Sequence, residues 1–70
     1  MDINIILEQA TASADALLEQ GWQGDGRTYD IGTYHGDAEA LAERLGRPTT
    51  RSERVSLETQ ICRLLDVRAT

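Results

Sequence analysis

The sequence predicts an α+β fold, mostly helical, in which a helix, a short β-hairpin or single strand, and two further helices form one domain. The 70 residues are enough for a single small core. Apolar residues recur at helical spacing toward both ends of the chain. Between these segments, residues 21–36 hold all three aromatic residues, the one histidine and five of the six glycines. This composition favours a β segment between helices.

The first helix is predicted over residues 3–20. Asp2 is the expected N-cap, and Gly21 stands where a glycine ends a helix. Apolar residues follow at spacings of three and four, which place them on one face. The predicted inward face consists of Ile3, Leu7, Ala10, Ala14 and Leu17, widened by Ile6 and Leu18.

Residues 22–34 are predicted to form the β segment. The tripeptide Gly24-Asp25-Gly26 is typical of a turn, since glycine adopts positive φ without steric cost. The residues after it alternate in polarity, with Tyr29 and Ile31 on the more apolar face. A single strand needs a partner for its backbone groups. We therefore expect a short hairpin within the chain, or pairing with a second copy in a homodimer.

Two helices are predicted in the remaining sequence, over residues 38–45 and 51–67. Asp37 is the expected N-cap of the first, and Gly46 its stop. Thr50 and Glu53 have the spacing of a capping box at the start of the second. The expected inward residues are Leu41, Ala42 and Leu45 in the first helix, and Val55, Leu57, Ile61, Cys62, Leu64 and Leu65 in the second.

The charges are unevenly distributed. The net charge is −5, but residues 1–40 hold eight acids against Arg27 alone, whereas residues 41–70 hold four acids and six arginines. Such polarity suits docking to an oppositely charged surface. The start of the chain has no basic segment and no long apolar run, so a cytoplasmic protein without a membrane span is expected.

The sequence gives little support for a catalytic or metal-binding site. His35 with Asp30, Asp37 and Cys62 is the only set that resembles a site, and it lacks the spacing that brings two ligands to one helix face. Cys62 is expected to be buried and inert on the apolar arc of the last helix. The sequence therefore predicts a protein that is not an enzyme and that needs no metal or cofactor.

Residues 37–55 resemble a helix-turn-helix, with Leu41, Ala42, Leu45, Gly46 and Val55 at positions that suit the motif. The pattern departs from it at Arg47 and Ser52, where the motif buries aliphatic side chains, and at Pro48 in the turn. The resemblance implies a DNA-binding regulator. Its reading residues would be Thr50, Arg51 and Arg54.

The negative charge argues against nucleic acid as a partner. A second alternative is an acidic mimic of nucleic acid. The favoured hypothesis is a protein-interaction module: a small regulator or inhibitor that occludes a partner protein, of a size and acidity typical of proteins from phages or mobile elements. Trp22 and Tyr29 are expected in the core, and the candidate partner-binding residues are Tyr34, Arg27, His35, Asp25 and Asp30.

Overall fold

A computed structural model describes residues 2–23 and 26–69 of the chain. It contains three α-helices, α1 (Ile3–Glu19), α2 (His35–Leu45) and α3 (Arg51–Ala69). A single 3-10 turn, Gly26–Thr28, lies between α1 and α2. Within the described part of the chain, no helix combines the length and the hydropathy needed to span a bilayer.

The helices form an up-down-up bundle. Arg44, near the end of α2, donates to Gln9 in the first half of α1, so α2 runs antiparallel to α1. Arg68, near the end of α3, pairs with Asp15 in the second half of α1, so α3 runs parallel to α1. Both α2 and α3 pack mainly on α1, and the 3-10 turn packs on α3.

The predicted α+β fold is wrong, because none of the described residues forms a strand. The described residues of the predicted β segment, 22–23 and 26–34, adopt the 3-10 turn and bonded turns instead. Gly24 and Asp25, where a hairpin turn was expected, lie outside the described residues. Pairing of strands across a two-fold axis therefore no longer supports a homodimer, which stays a prediction that light scattering tests.

Side chains and tight turns satisfy the backbone of this connection, so it needs no strand partner. The Asp30 carboxylate accepts the Gly32 amide at 2.9 Å, and the Asp30 carbonyl accepts the Tyr34 amide at 3.2 Å. Glu58 of α3 accepts the Ile31 amide at 3.1 Å. The alternating polarity of this stretch is therefore explained by the burial of Tyr29 in the core and not by an extended backbone.

Both predicted ends of α1 are confirmed. The Asp2 carboxylate accepts the Ile5 amide at 3.3 Å, as an N-cap does. Gly21 has a φ of +91°, and its amide donates to the Leu18 carbonyl at 3.1 Å. The Trp22 amide donates to the Leu17 carbonyl at 3.0 Å, which completes a Schellman motif. This motif turns the chain so that Trp22 lies against the core.

The predicted start of α2 is wrong, since the helix begins at His35 and Asp37 lies in its first turn. Tyr34 occupies the N-cap position without a side-chain cap bond. The Asp37 carboxylate is engaged elsewhere, because it accepts the Tyr29 hydroxyl at 2.5 Å. The predicted stop is confirmed at Gly46, which has a φ of +73°.

The predicted capping box of α3 is confirmed and carries an added ion pair. The Glu53 amide donates to the Thr50 hydroxyl at 3.2 Å, and the Thr50 amide donates to the Glu53 carboxylate at 2.8 Å. Arg47 donates twice to the same carboxylate, at 2.8 and 2.7 Å. The Arg47 hydrogen bonds, followed by that from the Thr50 amide, lower the pKa of Glu53 to about 2.

The core lies where α1, α2, α3 and Tyr29 meet. Its buried apolar residues are Ile6, Ala10, Ala14, Leu17, Tyr29, Leu41, Leu57, Ile61 and Leu65. The buried stripe of α1 also includes Gln9 and Ser13, because α2 packs on that side of the helix. The Gln9 amide donates to the Ser13 hydroxyl at 2.9 Å and accepts from Arg44 at 2.7 Å, so the buried amide is paired.

Three residues predicted to face inward are exposed. Ile3 and Leu7 are 48% and 41% exposed, because the core stripe of α1 is centred nearer Ile6 than the sequence pattern suggested. Val55 is 53% exposed. The buried line of α3 runs through Glu53 and Leu57, and Val55 lies about 200° around the helix from each of them.

We expect Gly46→Ala to lower the free energy of unfolding by about 1 kcal/mol, because a Cβ disfavours the left-handed conformation at this position. Gly36→Ala is the matched control. Gly36 lies in the first turn of α2 with open space around its Cβ direction, so alanine is expected to be neutral or slightly stabilising. Urea denaturation measures both. Equal losses for the two variants would contradict this account of the turn.

Candidate functional site

Three aromatic side chains cluster between the end of α1 and the start of α2. The rings of Tyr29 and Tyr34 stack with centroids 5.3 Å apart and planes at 13°. Trp22 meets both edge-on, at 5.6 Å from Tyr34 and 6.4 Å from Tyr29. Tyr29 is buried, whereas Trp22 and Tyr34 are half-buried. Offset and edge-on pairs of this kind favour fixed ring positions, so the cluster forms a rigid wall.

The Tyr29 hydroxyl ties this cluster to α2. It donates to Oδ2 of Asp37 at 2.5 Å. Burial, followed by the hydrogen bond to Asp37, raises the pKa of Tyr29 above its ordinary value. The phenol therefore stays protonated and acts as a donor across the physiological range. This bond holds Asp37 at the rim of the cluster.

Two neighbouring depressions lie along this wall and together make what we call the aromatic groove. The wide depression has a volume of about 420 Å³ and is lined by Leu17, Gln20, Gly21, Trp22, Gln23, Thr28 and Tyr34. The narrow depression has a volume of about 150 Å³ and is lined by Ser13, Ala16, Leu17, Gln20, Tyr34, Gly36 and Asp37. Leu17, Gln20 and Tyr34 line both, so the two depressions adjoin.

The groove is polar but carries one formal charge. Asp37, at the narrow end, is its single charged lining residue among those described. The other polar side-chain groups of the described lining residues are the amides of Gln20 and Gln23, the hydroxyls of Ser13, Thr28 and Tyr34, and the buried indole N–H of Trp22. An aromatic wall with a few amide and hydroxyl groups suits a ligand that is partly apolar and forms directed hydrogen bonds.

The indole ring of Trp22 carries a buried polar group. Its Nε1 is buried and has no hydrogen-bond acceptor within the described part of the molecule. A buried donor without a partner costs about 1–3 kcal/mol.

The structure brings together only part of the predicted partner-binding set. Tyr34 lies in the groove. Arg27 is exposed in the 3-10 turn beside Thr28, and Asp30 is exposed and forms the turn that leads into α2. His35 begins α2, with its side chain outside the described part, and Asp25 lies outside the described residues.

Sequence reasoning missed most of the residues that line the groove. Gln20 and Ala16 are at the end of a helix and on its exposed side, where such residues are ordinary surface choices. Asp37 is predicted only as a helix cap. Trp22 is predicted in the core; it does pack against the core, but it is half-buried and also lines the wide depression. The clustering of aromatics in residues 21–36 was the one usable signal.

The residues of the helix-turn-helix hypothesis serve local roles at the turn before α3. The Thr50 hydroxyl caps α3, and Arg54 donates to Thr49 at 2.7 and 3.1 Å. Arg51 is exposed at the first position of α3. Arg47 holds Glu53 where the motif would bury an aliphatic residue. In the motif, α2 and α3 would be the pair of helices that pack on each other. In the described structure, both pack mainly on α1 instead.

In the set formed by His35, Asp30, Asp37 and Cys62, the His35 side chain lies outside the described part of the molecule. Cys62 is half-buried on α3, and burial, followed by the charges of Glu58 and Asp66, raises the pKa of its thiol. A raised pKa disfavours the reactive thiolate. Within the residues described, His, Cys, Asp and Glu side chains form no group of three near enough to share a metal ion.

Comparison with known proteins adds no relative. No family model, curated protein or solved structure matches the chain.

Proposed function

We propose that this protein is a non-enzymatic interaction module, a small regulator or inhibitor that binds a segment of a partner protein in the aromatic groove and thereby occludes it. The observation that carries the proposal is the groove itself, in which Trp22 and Tyr34 form a rigid aromatic wall beside glutamine and threonine side chains. A cytoplasmic setting belongs to the same proposal and is supported by the single cysteine, which forms no internal disulfide.

The size and composition of the groove support a peptide-like occupant. The wide depression, at about 420 Å³, falls within the range of roughly 300–1,000 Å³ that is usual for ligand sites. Tyrosine and tryptophan are enriched among residues that dominate binding energy at protein interfaces. The amides of Gln20 and Gln23 offer both donors and acceptors, as a peptide backbone requires.

The rigidity of the site supports binding without large rearrangement. Tyr34 stacks on Tyr29, which is buried and bonded to Asp37. Leu17, on the floor shared by both depressions, belongs to the core. A site whose walls are already ordered loses little conformational entropy when a partner binds.

Selection from a random peptide library displayed on phage, with the folded protein immobilised, tests the proposal. We expect enrichment of peptides that shift the Trp22 indole signal in two-dimensional NMR spectra. Ala16→Gln is expected to lower the affinity for these peptides about tenfold or more, because the longer side chain fills the narrow depression. Ala16 is exposed, so the substitution leaves the core intact.

Ala12→Gln is the matched control. Ala12 is exposed on α1 one turn before Ala16, and it lines neither depression. The same substitution there is expected to leave peptide affinity unchanged. Failure to enrich any peptide, or peptides that bind both variants equally and leave Trp22 unperturbed, would overturn the proposal.

A further inference from the structure

We infer that the narrow depression of the aromatic groove receives a basic side chain, with arginine preferred, so that the partner segment is positively charged. This inference rests on the proposed function, since it names the chemistry of the segment that occupies the groove. It follows from the size of the narrow depression, its carboxylate, its aromatic wall and the charge of the surrounding chain.

The narrow depression is sized for one side chain. Its volume of about 150 Å³ lies below the range of roughly 300–1,000 Å³ for whole ligands. It adjoins the wide depression through Leu17, Gln20 and Tyr34. A bound segment can therefore lie along the wide depression and place one side chain in the narrow one.

A carboxylate stands at the narrow end. Oδ2 of Asp37 accepts the Tyr29 hydroxyl at 2.5 Å, which fixes the orientation of the group. A carboxylate has about four lone-pair sites, so Asp37 keeps acceptor capacity for a second donor. The Gln20 side chain lines the same depression and adds a carbonyl oxygen. Both residues line the narrow depression, so a carboxylate and an amide oxygen are present there for the several donors of a guanidinium group.

The aromatic wall favours a flat cation. Tyr34 lines the depression, and its ring stacks on that of Tyr29. A guanidinium or ammonium near such a ring is attracted by its quadrupole, and arginine makes this contact more often than lysine. Because the planar guanidinium can also form paired hydrogen bonds with a carboxylate, arginine fits both the ring and Asp37 better than lysine.

The charge of this part of the sequence also favours a cation. Two of its eight acids, Glu8 and Asp15, are paired with Arg44 and Arg68, which leaves six acids against Arg27. The groove is lined by residues between 13 and 37, which belong to the half of the chain with eight acids and one arginine. That arginine, Arg27, neighbours Thr28, which lines only the wide depression. No basic residue is among the described lining residues of the narrow depression.

One feature favours the opposite charge. Gly36 belongs to the first turn of α2, and a helix N-terminus has a partial positive charge of about +0.5. Asp37 lies in that same turn with a full negative charge. The negative charge of the carboxylate is larger than the partial positive charge of the helix N-terminus, so the net potential in the narrow depression favours a cation.

The experiment compares the binding of three capped peptides of equal length. Each consists of glycine and serine around two central test residues. The test residues are arginine, its neutral isostere citrulline, or glutamate. NMR titration of the intact protein follows the Gly36 amide and the Trp22 indole. We expect the arginine peptide to bind about tenfold more tightly than the citrulline peptide and to weaken as salt rises from about 20 to 200 mM.

Asp37→Asn tests the role of the carboxylate. Asparagine retains an oxygen that accepts the Tyr29 hydroxyl, but it carries no charge. The variant is expected to bind the arginine and citrulline peptides with equal affinity. Ala12→Gln serves again as the control and should keep the wild-type preference for arginine. Circular dichroism verifies that each variant retains its helices.

The outcomes separate this inference from the proposed function. Equal binding of the arginine and citrulline peptides at the groove, or tighter binding of the glutamate peptide, would overturn the inference and leave the proposed function standing. If none of the three peptides perturbs the groove signals, the inference also fails. The proposed function falls with it only when the library selection yields no groove-binding peptide either.

Discussion

Ile61→Ala is expected to lower the free energy of unfolding by about 2–5 kcal/mol, because it removes buried methyl groups and leaves a cavity where α3 meets α1. Ile61 is fully buried in the core. A domain of 70 residues has a total stability of roughly 4–10 kcal/mol, so this single change is expected to remove a large share of it. Urea denaturation followed by circular dichroism measures the loss.

Val67→Ala provides the control on the same helix. Val67 is 73% exposed, and its replacement is expected to change stability by no more than about 0.5 kcal/mol. A loss at Val67 as large as that at Ile61 would mean that the exposed side of α3 is covered in solution, for example by a second copy of the chain. Light scattering on the wild-type protein would then distinguish a dimer from a monomer.

Glu53→Gln is expected to produce the largest loss of stability of any single charge removal on α3. The carboxylate is buried, being 2% exposed, and it accepts two hydrogen bonds from Arg47 and one from the Thr50 amide. Glutamine keeps one acceptor and loses the ion pair. We expect the free energy of unfolding to fall more than in Thr50→Ala, which removes only the hydroxyl of the cap and lowers stability by about 1 kcal/mol.

Glu53→Gln is also expected to change how the stability of the protein depends on pH. The pKa of Glu53 is about 2 in the folded protein, against an ordinary value of 4.5. The unfolded chain therefore takes up the proton first as pH falls, so the contribution of Glu53 to stability is complete above about pH 4.5 and is lost toward pH 2. In Glu53→Gln, the melting temperature is expected to fall less steeply over this window than in the wild type.

Glu39→Gln is the matched control for the loss of a glutamate charge. Glu39 is an exposed glutamate on α2. Its replacement is expected to leave the free energy of unfolding at neutral pH close to that of the wild type. Equal acid slopes for the wild type and Glu53→Gln would show that the Arg47 contact does not hold the carboxylate ionised.

The three helices could be predicted because their signals are local. Asp2 and Gly21 bound α1, Gly46 ends α2, and Thr50 with Glu53 begins α3. Each of these signals depends on a side chain or a backbone conformation within a few residues of the helix end. Such interactions join groups that are close together in the sequence, so the sequence pattern alone indicates them.

The connection between α1 and α2 could not be predicted, because distant groups decide its conformation. Glu58, 27 residues away in α3, accepts the Ile31 amide, and the Tyr29 side chain is buried in the core. Alternating polarity in residues 27–34 resembled a strand, but the alternation reflects contacts with helices rather than a pleated backbone. The aromatic groove depends on the same connection, so its lining was missed as well.

The sequence by itself determined the number of helices, the caps at most of their ends and the negative charge of residues 1–40, because these properties belong to single segments. Which faces are buried depended on the packing of the helices, as the exposed Ile3 and the buried Gln9 show, and the same packing brought Tyr34 beside Leu17 and Gln20. The physical reason is that burial and the shape of a groove are properties of pairs of elements. They arise only when helices dock and one element replaces water at the surface of another.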